Sequence, residues 1–162
     1  MTDFDSEKIK YVSNSKYIEL SHDDNDLIMS YESVHVPFGL EKSFNNYILK
    51  ILNNSESKEL FEKIKKIEQQ NMRFLKKQGD FDNYEYKSQI IEKKNYGEFL
   101  VVKIPLVKNQ FNVEIFDKDN NIVDIFKIEK KQKMNLCLEI NSIWCFKNKY
   151  SCIPKITKIK LL

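Results

Sequence analysis

Trp144, Phe146 and Tyr150 are interleaved with Lys147, Lys149 and Lys155 around one candidate hairpin near the end of the chain. Flat aromatic faces stack on any nucleic-acid base, at roughly 1–3 kcal/mol per base, while flanking ammonium groups follow the phosphates. Such a surface takes single strands with little sequence preference and with strong salt dependence. The alternative for the same residues is structural. Trp144 and Phe146 then sit in a core, and the lysines are solvated edges that discourage sheet-to-sheet pairing.

No competing chemistry has a comparable constellation. Gly39, Gly79 and Gly97 are isolated, so there is no phosphate-cradling glycine loop. His22 and His35 have no nearby nucleophile, and neither HExxH nor GxSxG occurs. Asp23-Asp24-Asn25-Asp26 lacks the spaced acids and the glycine of a calcium loop and reads as a solvated turn. Cys137, Cys145 and Cys152 form an odd set without CxxC spacing, which argues against both a disulfide framework and a zinc ribbon. A non-enzymatic protein without metal or cofactor is expected.

The charge is unevenly spread. Residues 1–32 carry eight acids (Asp3, Asp5, Glu7, Glu19, Asp23, Asp24, Asp26, Glu32) against Lys8, Lys10 and Lys16, whereas residues 130–162 carry eight lysines against Glu139 alone. A polyanion-binding end with an acidic mask would produce this pattern, and so would acidic and basic strands that neutralise each other. The division expected is an acidic segment over 1–26 and a binding domain over 27–162. With 162 residues, 41% apolar and 31% charged, the chain suits one globular domain. It holds no run of about 18 apolar residues that would span a bilayer. The acidic start Met1-Thr2-Asp3-Phe4-Asp5 does not resemble a secretory signal, so an intracellular site, cytoplasm or nucleus, is expected. Alanine is absent and Arg73 is the sole arginine among 27 Lys plus Arg. Ile, Asn, Lys, Phe and Tyr, the residues of AT-rich codons, fill the space, which suggests an AT-rich genome and forbids reading chemistry into lysine content alone.

These residues need strands to hold them. Leu27 to Val36 reads as strand, stopped by Pro37 and Gly39, and Tyr47 to Leu52 as another. Leu60, Phe61, Ile64, Ile67, Phe74 and Leu75 form the stripe of an amphipathic helix, with Ser55 or Ser57 to cap it and Gly79 to stop it. Residues 80–96 read as a connecting insertion. Phe99 to Ile104 is then a strand ended by Pro105. Phe111 to Phe116 and Ile122 to Ile128 read as a hairpin about Asp117–Asn121. Met134, Leu136, Leu138 and Ile140 alternate with polar residues, and Ile153 to Leu162 makes the last strand. Six or seven short strands with one helix inserted midway describe a mainly β, α+β domain: an OB-like five-stranded barrel with extra strands. Tyr47, Lys50, Lys103 and Lys158 on these strands complete the expected binding surface.

Two segments carry a family resemblance. Val36-Pro37-Phe38-Gly39, followed by Tyr47-Ile48-Leu49-Lys50-Ile51 and Phe61-Glu62-Lys63-Ile64, resembles the N-terminal half of the phage-type, OB-fold single-stranded DNA-binding proteins of large nucleocytoplasmic DNA viruses. Ile143-Trp144-Cys145-Phe146, Lys147-Asn148-Lys149-Tyr150 and Pro154-Lys155-Ile156-Thr157-Lys158-Ile159-Lys160 are similar to that family's C-terminal end. The resemblance implies a protein that coats single-stranded DNA during viral replication, recombination or repair. RNA is the alternative ligand, and replication proteins are the expected partners. The chain departs from the family pattern in carrying Tyr150 or Ser151 and Ile153 or Pro154 where members have a glycine and a second tryptophan. It ends on Lys158-Ile159-Lys160-Leu161-Leu162 rather than on an acidic tail. The rival reading is a non-catalytic viral structural or protein-interaction module with its aromatics buried.

Overall fold

Apolar alternation becomes strand along most of the chain, and two breaks in that alternation decide how the strands curve. The computed structural model describes residues 4–13, 17–78 and 84–162. In chain order the elements are β1 (Ile9–Ser13), β2 (Tyr17–His22), β3 (Leu27–Val36), β4 (Glu41–Ser43) and β5 (Asn46–Leu52), then helix α1 (Lys58–Lys77). There follow β6 (Glu85–Tyr86), β7 (Ile90–Lys93), β8 (Gly97–Ile104), β9 (Leu106–Val107), β10 (Gln110–Phe111), β11 (Glu114–Phe116), β12 (Gln132–Ile140), β13 (Ser142–Phe146), β14 (Lys149–Ser151) and β15 (Lys155–Leu161).

Five long strands, in the order β3-β12-β15-β8-β5, form the body of an OB-like, mainly β fold, with β4, β7 and β11 added at its edges. β5 lies back against β3, which turns the sheet toward a barrel. Two register shifts produce the curvature. The first falls in β3 opposite Met134 and Leu136, where Ser33 takes a positive φ of 55° and donates its N–H to Asn135 Oδ1 at 3.0 Å. Beyond it Val34 and Val36 join Leu27 and Met29 inside, although Met29 and Val34 are an odd number of residues apart. The second falls in β15 opposite Cys137 and Leu138. It buries both Ile156 and Ile159, three residues apart, which strict alternation would put on opposite faces.

A second sheet runs β1-β2-β13-β14-β6. Its inner face, with Ile9, Tyr11, Leu20 and Ile143, packs into the common core, so the β1–β2 pair is tied directly to β13 and to the core. Helix α1 closes this side with Leu60, Phe61, Ile64, Ile67 and Leu75 buried. Fully buried Asn71 accepts a hydrogen bond from Tyr11 Oη at 2.7 Å and donates one to Tyr86 Oη at 3.1 Å. A single amide thus links the two edge strands, β1 and β6. Burial raises both tyrosine pKa values and pushes the neighbouring Cys152 thiol up to about 12, so all three stay neutral.

The structure corrects three local expectations. Ile122–Ile128 does not return as a strand. Ile122 makes one bridge to Phe116, and residues 125–127 form a 3-10 turn in which Asp124 accepts the Phe126 N–H at 2.8 Å. Ile125 and Ile128 are both buried, and that three-residue spacing suits a 3-10 turn rather than a strand. The partner segment is likewise split into β10 and β11. Residues 84–96 are more than a connection, since β6 extends the second sheet and β7 pairs with β8. Ser57 precedes α1 without capping it. Its hydroxyl donates to the Leu52 carbonyl at 2.6 Å, tying the helix start to the end of β5. Gly79, the expected stop, lies outside the described residues.

Candidate nucleic-acid interface

Strand β13 and the turn after it place the aromatic residues. Lys147 and Asn148 both take positive φ, 50° and 63°, as a two-residue hairpin turn of the primed type requires. Along β13, Ile143 points inward and is buried, whereas Trp144 and Phe146 share the outer face of the second sheet. Trp144 is 45% exposed and Phe146 73%. The reading in which both rings fill a core is therefore not the observed arrangement.

Trp144 is exposed but held. Its ring stacks on Tyr17 of β2 at 4.8 Å between centroids and 27° between planes, and Nε1–H donates to Ser142 Oγ at 2.9 Å. The indole is thus fixed on one face and open on the other, as a preorganised stacking platform would be. At the hairpin tip Lys147 Nζ lies 5.4 Å from the Phe146 ring centre, and Lys149 faces Glu85 at 3.9 Å.

A groove runs from this platform onto the outward face of the first sheet. Trp144, Ser142 and Ser151 line it together with Lys103 and Lys155. It continues past Lys103 and Lys155 to Thr157, Leu106, Val107 and Asn112. Lys103 and Lys155 are direct register partners on β8 and β15. Partial burial, and then the charge of Lys155, lower the Lys103 pKa, and among the described residues neither lysine has an ion-pair partner. Two adjacent, partly desolvated cations favour an anion between them. Toward β2 the groove is lined by Glu19 and Asp26 together with Lys10 and Lys155. Glu139, the register partner of Lys155 on β12, lines both this part and the part beside Lys103, so the lysine pair has one carboxylate next to it.

The structure gathers Trp144, Phe146, Lys147, Lys149, Lys155 and Lys103 on or beside this groove. Lys50 lies farther out on the outward face of β5, where Glu41 holds it at 3.2 Å. Lys158 also points outward, with Nζ 5.5 Å from the Phe116 ring centre. Tyr150 and Tyr47 are not brought to the groove. Tyr150 packs on the core side of the second sheet with Tyr84, ring centres 5.2 Å apart. Tyr47 is on the inward side of β5, edge-on to Phe111 and Phe126 at 5.3 Å and 5.8 Å. Tyr17 and Ser142 escaped sequence reasoning. The only signal for Tyr17 was the weak alternation Tyr17-Ile18-Glu19-Leu20, which carries no hint that β2 pairs with β13.

Among the described residues no group of His, Cys, Asp and Glu is arranged to hold a metal ion, and no helix is long and apolar enough to cross a membrane. In comparisons with known proteins, no family model and no curated protein matches the chain. Solved structures do. The fold is similar to that of gp2.5, a single-stranded DNA-binding protein encoded by bacteriophage T7, over 84% of this chain and 86% of that one, with a TM-score of 0.54 and 9% sequence identity. A C-terminally truncated single-stranded DNA-binding protein from bacteriophage Enc34 also matches over 96% of this chain and 95% of that one, with a TM-score of 0.47 and 6% identity. The gp2.5 match shows a shared fold, the OB-like fold that the family resemblance implied.

Proposed function

We propose that the chain is a non-enzymatic single-stranded DNA-binding protein. A base stacks on the open face of Trp144, and the phosphates on either side run toward Lys103 and Lys155 and toward the Lys147–Lys149 tip. The observation that carries this reading is the indole stacked on Tyr17 and hydrogen-bonded to Ser142 in a groove that two adjacent lysines, Lys103 and Lys155, line with it. Stacking on one ring needs no particular base, and lysines paired to phosphates read no sequence, so the surface suits coating rather than site recognition. Duplex DNA has its base faces occupied by neighbours and gains only the phosphate contacts. The fold shared with gp2.5, a DNA-binding protein of that class, supports the same ligand. The fitting role is protection of exposed strands in viral DNA replication, recombination or repair, inside the infected cell.

The test is a titration of the intrinsic fluorescence of Trp144, the sole tryptophan, with oligothymidine, oligouridine and a duplex of equal length at two salt concentrations. Quenching and tight binding are expected with oligothymidine and weaker binding with duplex. Equal affinity for duplex and single strand, without quenching, would remove the stacking element and with it the proposal.

A further inference from the structure

The outward face of the first sheet does not end at Lys103. Register partners on β5, β7 and β8 place Lys103, Val101 and Phe99 of β8 on one side with Ile48, Lys50 and Leu52 of β5 and Lys93 of β7. Phe99 is fully buried although it points outward, because Phe38 lies over it at 5.2 Å between ring centres. The Phe38 position is built deliberately. Gly39 takes a positive φ of 65°, and a Cβ there would come within 3.0 Å of the Glu129 backbone, so the Pro37-Phe38-Gly39 turn is pressed against the loop before β12, to which Lys131 N–H also ties the Pro37 carbonyl at 2.9 Å.

Two cations meet on this ring. Lys93 Nζ is 4.5 Å from the Phe38 centre and Lys50 Nζ 5.9 Å. The contact with Lys50, followed by burial and the Lys50 charge, lowers the Lys93 pKa, while the nearby Glu41 carboxylate pairs with Lys50. The set of Lys50, Lys93 and Glu41 leaves one net positive charge, held beside Tyr96. That ring is 65% exposed and meets Phe38 edge-on at 5.8 Å.

We infer that Tyr96 and Lys93 form a second station for the same single strand: Tyr96 stacks a base, Lys93 takes a phosphate, and Phe38 positions both. Phe99 lies four positions before Lys103 on β8, about 13 Å at strand rise. The half-exposed apolar strip of Val101 and Ile48 joins the two stations, with Glu41 the register partner of Ile48 at its edge. Extending the track across β8 and β7 would bring the occupied length into the range of about 4–16 nucleotides that one OB fold covers. The inference rests on the groove reading above and adds a direction to it, from Trp144 across Lys155 and Lys103 to Tyr96.

The test compares oligothymidines of about 5 and about 14 nucleotides, one too short and one long enough to span both stations. Lys93→Glu and Tyr96→Ala are each measured beside Trp144→Ala, with Lys93→Gln as the milder change and thermal melts to establish folding. Wild-type affinity should rise with length. Lys93→Glu and Tyr96→Ala should each cost the long oligonucleotide roughly fivefold or more, and Lys93→Gln a smaller loss in the same direction, while all three leave the short one within about twofold. Trp144→Ala should weaken both lengths. If the Lys93 and Tyr96 variants bind the long oligonucleotide as the wild type does while Trp144→Ala still weakens it, the second station is wrong and the groove stands. If Trp144→Ala weakens neither length, the groove reading falls and this inference with it.

Discussion

Replacing Trp144 by alanine separates a stacking platform from a packing residue, because the two roles load different measurements. A buried Trp truncated to Ala costs roughly 3–5 kcal/mol of stability. Trp144 is 45% exposed, so a little over half of the residue is covered, and Tyr17 stacks on one face of its ring. Scaling by that fraction gives a loss of about 2 kcal/mol. At about 2–4 °C per kcal/mol for a chain of this size, the melting temperature should fall by about 4–8 °C. The binding loss should be about 1–3 kcal/mol, which at 1.4 kcal/mol per decade is about a 5- to 150-fold rise in Kd. Fluorescence anisotropy of a labelled oligothymidine, measured well below the new melting temperature, reads the second quantity without the first. Trp144→Phe keeps a flat face over Tyr17 and should recover most of the binding while losing the Nε1–H bond to Ser142. A melting temperature that collapses by far more than this while the folded remainder binds normally would show that Trp144 packs rather than stacks. Lys103, Lys147, Lys149 and Lys155 would then be the remaining support for the interface.

The lysine contacts should make affinity fall with salt at a log–log slope of about −0.7 per phosphate contact, so three or four contacts give about −2 to −3. Lys103→Gln and Lys155→Gln should each flatten that slope by about 0.7, and a slope near zero with tight binding would refute the electrostatic element. Deleting residues 2–8 removes acidic residues and the Phe4–His22 stack but spares Ile9, the first core residue of β1. The truncated protein should keep its circular dichroism spectrum and bind single strands as well or better, and weaker binding by an intact fold would overturn the idea that this end shields the basic surface. Asn71→Ala strands the Tyr11 and Tyr86 hydroxyls in the core, at about 1–3 kcal/mol for each buried polar group left unpaired. Urea denaturation should show a loss of at least about 2 kcal/mol, and a variant as stable as the parent would mean that water already serves those hydroxyls.

The long strands and the helix are legible in the sequence because each repeats one period long enough to leave no rival. Met134 to Ile140 alternates cleanly, and Leu60 to Leu75 holds a helical stripe. Ile122–Ile128 misleads because a run of β-favouring residues says nothing about spacing until Ile125 and Ile128 are known to point the same way. β6 and β7 are hidden for another reason. Two- and four-residue strands have too few alternations to register, and they exist here because β14 and β8 offer free edges to pair with. The binding hairpin shows its residue types in the sequence but not its orientation. Trp144 faces out because Ile143, its neighbour, is claimed by the core.

The bulge in β15 explains how one strand serves both the core and the proposed track. Ile156, Ile159 and Leu161 are buried, while Lys155, Thr157, Lys158 and Lys160 carry the polar side. With strict alternation from Lys155, Ile159 would fall outward with the lysine, and Lys158 would be turned into the core beside Ile156. An unpaired ammonium buried there would cost several kcal/mol, so the strand shifts register at Leu138 instead, with Thr157 Oγ1 donating to the Cys137 carbonyl at 3.4 Å. The shift bends the sheet where the strand passes from β8 on its second edge to β11. Lys155 is thereby left beside Lys103 in the groove, and Lys158 is carried away from it toward Phe116. The same irregularity that bends β15 within the sheet therefore divides its lysines. Only Lys155 belongs to the groove, and Lys158→Gln should change affinity far less than Lys155→Gln.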